Sequence, residues 1–382
     1  MATGQYTTTA SGDVRFASGT GSKAVSENED LANFISMITR AETPFMSSIG
    51  KTKATGIYHE WQTDELAAPA DSTVHQGADF DAVGPDGANQ NDGGSTLTTA
   101  QRYRTRLGNY TQINGKTVSV SGTKRAVDQT GVADEYAYQL KKRGTELRRD
   151  VERDLVHTTN VATAGTNAVS GTMGGLYSWI NTVNHVVHAH AVSYSPSQGT
   201  SAGTDGAGSG AIGLDGAAEG TKAALTLTMV DNALQNLYEA GGKATRAMMS
   251  PKNRRNFSTL AQTANSNVRR NIDEGGKLRA SVDMYMSDFG DIMIEPNYIM
   301  GLTHSEALRN WDHASNTVNV DIANYAIFIY DPQWFKIATL RPLKEVDVGQ
   351  KGDSTVGMIV EECTLECSNP KGSTAIYGLS GS

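Results

Sequence analysis

The spacing of apolar side chains changes several times along the chain, and each change marks an element. In "GIYHEWQTDEL" (56–66), Ile57, His59, Trp61 and Thr63 alternate with Tyr58, Glu60, Gln62 and Asp64, the period of two that predicts a strand. "TAQRYRTRLGNYTQI" (99–113) alternates in the same way. Together they predict a long two-stranded finger over 54–113 with an acidic, Gly-rich tip. A helical period follows in 123–159, where Tyr136, Leu140, Leu147, Val151 and Leu155 make one stripe. Lys141, Lys142, Arg143, Arg148, Arg149 and Arg153 lie among acids on its other faces. A second helix is expected over 228–242, with Val230, Leu234, Leu237 and Tyr238 inward and Gly241 as its stop. "MYMSDFGDIMIEPNYIM" (284–300) reads as strand, turn, strand. "YAIFIYDPQWFKIATLR" turns at Asp331-Pro332, and two final strands are split by Asn369-Pro370. This mixed order predicts an α+β architecture.

The remaining stretches predict little packing. Residues 1–30 are Thr-, Gly-, Ser- and Ala-rich and read as an arm without its own core. Asn28 or Asp30 is expected to cap a short helix carrying Leu31, Phe34, Ile35 and Ile38, which Pro44 ends. Residues 195–220 form a low-complexity insertion in the second module.

Composition narrows the function. With 382 residues the chain holds two or three modules, and 40 glycines suggest long loops. A net charge of −8 argues against a protein that grips nucleic acid by its phosphates. The longest apolar run, "YAIFIY", is far short of the ~20 residues of a membrane-spanning helix. "MATGQYTTTA" shows neither the basic nor the apolar region of a secretory signal. Cys363 and Cys367, four residues apart on a predicted strand, are too distant to bridge and read as small core residues.

Chemistry is sparse. "GTGSK" (19–23) lacks the ending of a phosphate loop, and the glycines of 206–213 lie in low-complexity sequence. His185, His188 and His190 have no carboxylate or thiol beside them and read as ordinary polar histidines. No nucleophile elbow or H-E-x-x-H occurs. No catalytic residue, metal site or cofactor is expected.

The finger raises a different possibility. From Ala54 to Gln101 there are eight carboxylates and no Lys or Arg. Burying Ile57, Tyr58 and Trp61 would gain roughly 1.5–3 kcal/mol each, yet an isolated ribbon is marginal in water. The expectation is that another copy of the chain supplies the surface. Arg102, Arg104 and Arg106 share one face of the return strand, beside the acidic tip. The basic face of the long helix, Lys141, Lys142, Arg148 and Arg149, is the expected landing place on a neighbour.

An arm, an extended two-stranded loop, a long helix, a further module and a β-rich return, in that order, resemble the tailed-bacteriophage major capsid proteins of the Hong Kong ninety-seven type fold. Local sequence is similar to the SU-ten-like major capsid protein family. The similar stretches are "TPFMSSIGKTKATGIYHEWQTDEL", "VSGTKRAVD", "KKRGTELRRDVERDL", "MGGLYSWI", "SDFG", "DPQWFKIATLRP" and "EECTLECSNPKGSTAIYGL". The resemblance implies an N-terminal arm (1–50) and an extended loop (51–113). It also implies a peripheral domain with the spine helix (114–165 and 345–382) and an axial domain (166–344). The implied function is an icosahedral shell of hexamers and pentamers enclosing double-stranded DNA without sequence-specific binding. Implied partners are a portal and scaffolding or decoration proteins, with no membrane; the place of action is the virion capsid, assembled in the host bacterial cytoplasm. A phage tail or decoration protein and an encapsulin-type compartment are the competing readings. Some shells of this fold harden through loop lysine–asparagine bonds, but no lysine lies between Lys53 and Lys116, so such crosslinks are not expected here.

Overall fold

The computed structural model describes residues 6–8, 14–16, 40–64, 66, 104–127, 131–156, 162–180, 187–188, 223–264, 283–301, 326–350 and 352–379. Strands β1 (Tyr6–Thr8) and β2 (Val14–Phe16) pair antiparallel within the predicted arm. Helix α1 (Pro44–Ser48) follows, so Pro44 opens a helix at N1, where its missing N–H is no loss. The helix expected over 31–38 lies outside the described residues. Next come β3 (Gly50–Lys53), β4 (Tyr58–Thr63), β5 (Thr105–Tyr110), β6 (Gln112–Ser121), the short α2 (Gly122–Ala126) and the spine helix α3 (Glu135–Val156). The second half contributes α4 (Leu176–Ile180), β7 (Val187–His188), α5 (Leu227–Glu239), β8 (Arg246–Met249), α6 (Pro251–Ala264), β9 (Met284–Ser287) and β10 (Gly290–Pro296). The chain ends with β11 (Ile327–Tyr330), β12 (Phe335–Gln350), β13 (Ser354–Cys367) and β14 (Thr374–Tyr377).

Two sheets carry the body. One has the order β3-β12-β13-β6; the other has the order β7-β14-β11-β8-β10-β9. The spine helix packs along β6 and β13 of the first sheet. In the second, alternate residues serve two cores. Met248, Phe328, Tyr330, Ala375 and Tyr377 join a core with Leu155, Trp179, Phe335 and Leu365. Ala247, Met249, Ile327, Ile329 and Ile376 face α5 and α6 with Leu234 and Phe257. The pleat's period of two therefore places one sheet in contact with two cores.

The final strands depart from the expected module boundary. β12 runs unbroken through 344/345, and β14 pairs with β11 and β7 in the six-stranded sheet. The described residues from 345 to 379 are thus shared between the two sheets, because the turn at Pro370–Gly372 carries the chain from one to the other. In α3, Leu147, Val151 and Leu155 are buried as expected, whereas Tyr136 and Leu140 are only half-buried. In α5, Val230, Leu234 and Leu237 face inward, but Tyr238 is exposed and lies beside Phe289. Gly241, at φ +84°, stops α5 in the left-handed conformation that glycine adopts without strain. Cys363 and Cys367 are free and buried; burial pushes the Cys363 thiol up to about 12 and the Cys367 thiol well above its ordinary range, so neither is a nucleophile.

Candidate assembly surface at the ribbon root

β4 and β5 form the predicted ribbon, with Trp61 opposite Leu107 and His59 opposite Asn109. His59 and Trp61 lie on one face of β4, Leu107 and Asn109 on the same face of β5, and that face lies on the chain's own body. Trp61 and Leu107 pack against the first core. The Trp61 ring lies 5.3 Å from that of fully buried Trp179. This corrects the expectation that only another copy offers Trp61 a surface: α4, which positions Trp179, is more than a hundred residues away in sequence, and no periodicity reveals that contact.

Polar contacts hold the root as firmly as apolar ones. Asn109 is fully buried; its Nδ2 donates to Leu365 O (2.8 Å) and Gly174 O (3.1 Å), and its Oδ1 accepts from Gly174 N (2.9 Å). His59 Nε2 lies 3.0 Å from Glu366 Oε2, and Lys336 Nζ is 3.4 Å from Glu366 Oε1. Burial alone would raise the Glu366 carboxyl, but the His59 hydrogen bond and Lys336 outweigh it and hold the group below its ordinary value. Thr111 donates to Glu362 Oε1 at 2.8 Å, and Arg341 Nε reaches Glu362 Oε2 at 2.6 Å. Gln112 donates to Asp154 Oδ2 at 2.7 Å. Burial pushes Asp154 up to about 6, with Arg153 and the Gln112 hydrogen bond opposing it.

The opposite face of the ribbon balances part of its own charge. Arg106 pairs with Glu60 at 3.1 Å and Arg104 with Asp64 at 3.5 Å, so two of the arginines expected on one face neutralise carboxylates of the outgoing strand. The rings of Tyr58 and Tyr110 meet at a tilt, with centroids 4.6 Å apart. Gly108 makes this possible, since a Cβ there would run into the Tyr58 ring. Ile57 is 66% exposed. Arg102 and the tip lie outside the described residues, as do the side chains of His185, His188 and His190 and the insertion at 195–220.

On the spine helix the acids are occupied locally. Lys116 pairs with Asp150 (2.6 Å) and Glu146 (3.6 Å), and Arg143 pairs with Glu146 (2.7 Å). Lys141 and Arg148 are exposed, Lys142 and Arg149 half-buried, and among the described residues none of the four is in an ion pair with a carboxylate. Arg148 does act on Glu361, a buried acid of β13 whose carboxyl burial pushes up while Arg148 and Lys51 pull it down. The helix thus presents positive charge without a carboxylate ion pair at Lys141, Lys142 and Arg149, three of the four positions named from sequence. Sequence reasoning missed Asn109, Glu152, Glu361, Glu362 and Glu366. Polar residues in amphipathic strands and helices ordinarily read as solvated, so no sequence signal marks them as buried.

The family model described as SU10 major capsid protein matches residues 3–380. A curated relative, the major capsid protein of Escherichia phage Phieco32, is 33% identical over 126 residues. That match covers 33% of this chain and 32% of the relative, so the chain spans about a third of that relative's length. Among solved structures, the chain is similar to the Cyanophage A-1(L) capsid asymmetric unit. There the TM-score is 0.58 and the identity 12%, over 93% of this chain and 97% of that one. It is also similar to the capsid structure of the Cyanophage P-SCSP1u, with a TM-score of 0.50 and 12% identity over 92% of each chain. At such identities the likeness is one of fold, and it agrees with the mixed helix-and-sheet body described above. The match over nearly its whole length settles the family: the chain belongs to the SU10 major capsid protein family.

Proposed function

We propose that this chain is the repeating subunit of the icosahedral head of a tailed bacteriophage, built of hexamers and pentamers around packaged double-stranded DNA. The observation that carries the reading is the ribbon: rooted on its own body by Trp61, His59 and Asn109, it leads into an acidic segment, while the spine helix shows unpaired cations. Opposite charge on two separate parts of one chain suits a repeating, head-to-tail contact between copies. In this reading α3 and the four-stranded sheet form the peripheral domain of a Hong Kong ninety-seven type subunit, and the six-stranded sheet with α5 and α6 forms the axial domain. The loop of residues 65–103 lies on the neighbour, where Lys141, Lys142 and Arg149 meet its carboxylates. Ile57, Tyr58, the outward Arg104 and Arg106, and Arg102 border that contact. An acidic wall leaves the DNA free to enter and exit. Portal and scaffolding or decoration proteins complete the particle in the host cytoplasm.

Negative-stain microscopy of the purified full-length chain tests the reading. Closed shells or hexameric capsomers are expected. Tubes or free trimers would favour a tail or decoration protein, and shells holding an enzyme in place of a genome would favour a cellular compartment.

A further inference from the structure

One end of the six-stranded sheet outruns the core that covers the rest of it. β9 is the last strand of that sheet, and across β9 and β10 Met284 stands opposite Met293, with Met286 opposite Asp291. Residues directly opposite in an antiparallel pair point to the same side, so the three methionines and Asp291 share one face. Tyr285 and Ile292 point to the other, where the Tyr285 ring lies 5.6 Å from that of Phe257 in α6. Further in, the methionine side of the sheet is covered, because Met248 and Phe328 enter the first core. At the β9 end it is bare: Met284 is 49% exposed, Met286 73% and Met293 47%. Asp291 is exposed and, among the described residues, in no ion pair. Arg246 and Glu295, on the same side but nearer the core, pair with each other.

On the opposite side of the sheet, α6 carries a stripe of the other charge. Lys252, Arg255 and Thr259 recur at intervals of three and four and are exposed, whereas Asn253 and Phe257 are buried. Arg254 is taken by Asp283 at 2.6 Å. Among the described residues neither Lys252 nor Arg255 is in an ion pair.

We propose that this end of the sheet is a head-to-tail contact between copies of the chain: the methionine face of one copy seats on the Lys252–Arg255 stripe of α6 in the next.

The inference rests on the reading of the chain as a shell subunit and adds a second contact to that of the ribbon. Charge selects a second copy as the occupant. An apolar face whose free charge is a carboxylate offers nothing to a DNA phosphate, and it matches a stripe of two free cations that every copy carries. The two patches lie on opposite sides of one sheet, so they meet in succession from copy to copy, as around a ring. Pairing two methionine faces with each other would instead bring Asp291 towards its own counterpart, a like-charge contact. Methionine also suits a contact that must be remade at different angles. A ring of five and a ring of six turn successive copies differently, and an unbranched thioether side chain repacks to fit both.

Peroxide oxidation of the full-length chain, read as sulfoxide at each methionine by peptide mass spectrometry, compares the free subunit with the assembled fraction separated by sedimentation. Met284, Met286 and Met293 should oxidise readily in the free subunit and at least several-fold more slowly once assembled. Asp291→Lys should raise the concentration needed for assembly by about tenfold or more, because it sets like charges against each other. Adding Lys252→Glu and Arg255→Glu to that variant should restore assembly, with subunit melting unchanged throughout. Particles whose three methionines oxidise at the free-subunit rate would overturn the contact and leave the shell reading standing. Slow oxidation already in the free subunit would overturn it too, since the chain would then cover this face itself. So would protection that comes only when another protein is added, or a charge swap that fails to restore assembly. A wild-type chain that never assembles would overturn the shell reading, and this contact with it.

Discussion

Asn109→Ala removes the side chain that joins the ribbon to both the α4 turn and strand β13. Alanine leaves Gly174 N, Gly174 O and Leu365 O facing an apolar methyl in a site with no exposure. A buried polar group stripped of its partner costs about 1–3 kcal/mol. Each carbonyl has a second lone pair and loses less than the N–H, so the sum for the three is about 3–6 kcal/mol. Asn109→Asp separates this from simple loss of volume. Its carboxylate can still accept from Gly174 N, but it turns a negative oxygen towards two carbonyls. It should be at least as unstable as alanine at neutral pH and recover partly in acid, where the protonated carboxyl donates one bond. Urea unfolding of the full-length subunit, followed by tryptophan emission, reads both, since Trp61 and Trp179 meet beside the site. An Asn109→Ala subunit within about 1 kcal/mol of wild type, or an Asn109→Asp subunit without acid recovery, would refute the account of the ribbon root.

Trp61→Ala should destabilise the isolated subunit by about 1–3 kcal/mol, less than a full core truncation because the ring is half-buried; a change seen only in assembled particles would contradict the contact with Trp179. Lys141→Glu with Lys142→Glu should lower shell yield while leaving subunit melting unchanged, and Arg148 is spared because it faces Glu361; normal shell yield would remove the helix from the assembly contact. Asp154 has a folded value of about 6 against 3.8 when free, so the native state binds more protons between those values. Its contribution to subunit stability is therefore greatest below pH ~4 and falls by about 3 kcal/mol as pH rises through 6; Asp154→Asn should flatten that dependence, and an unaltered pH profile would refute it. Boiled particles should run as one band near 40.7 kDa, and a ladder that survives detergent and reductant would reveal covalent crosslinks.

Periodicity alone located most of the elements. The alternation in 57–63 and 105–110, the stripe Leu147-Val151-Leu155 and the breaks at Gly241, Pro332 and Pro370 are local consequences of backbone geometry, legible wherever one face is wet and the other dry. Charge counting likewise identified the acidic loop and the basic helix, and the order of elements pointed to the family. Which surfaces meet was decided by tertiary structure. Trp61 finds Trp179, Asn109 finds Leu365 and Glu152 finds Phe45 across separations of 118, 256 and 107 residues. Buried acids such as Glu152 and Glu366 are indistinguishable in sequence from solvated ones. A side chain's period says which way it points, whereas the partner that satisfies its hydrogen bonds is set by the packing of elements that lie far apart along the chain.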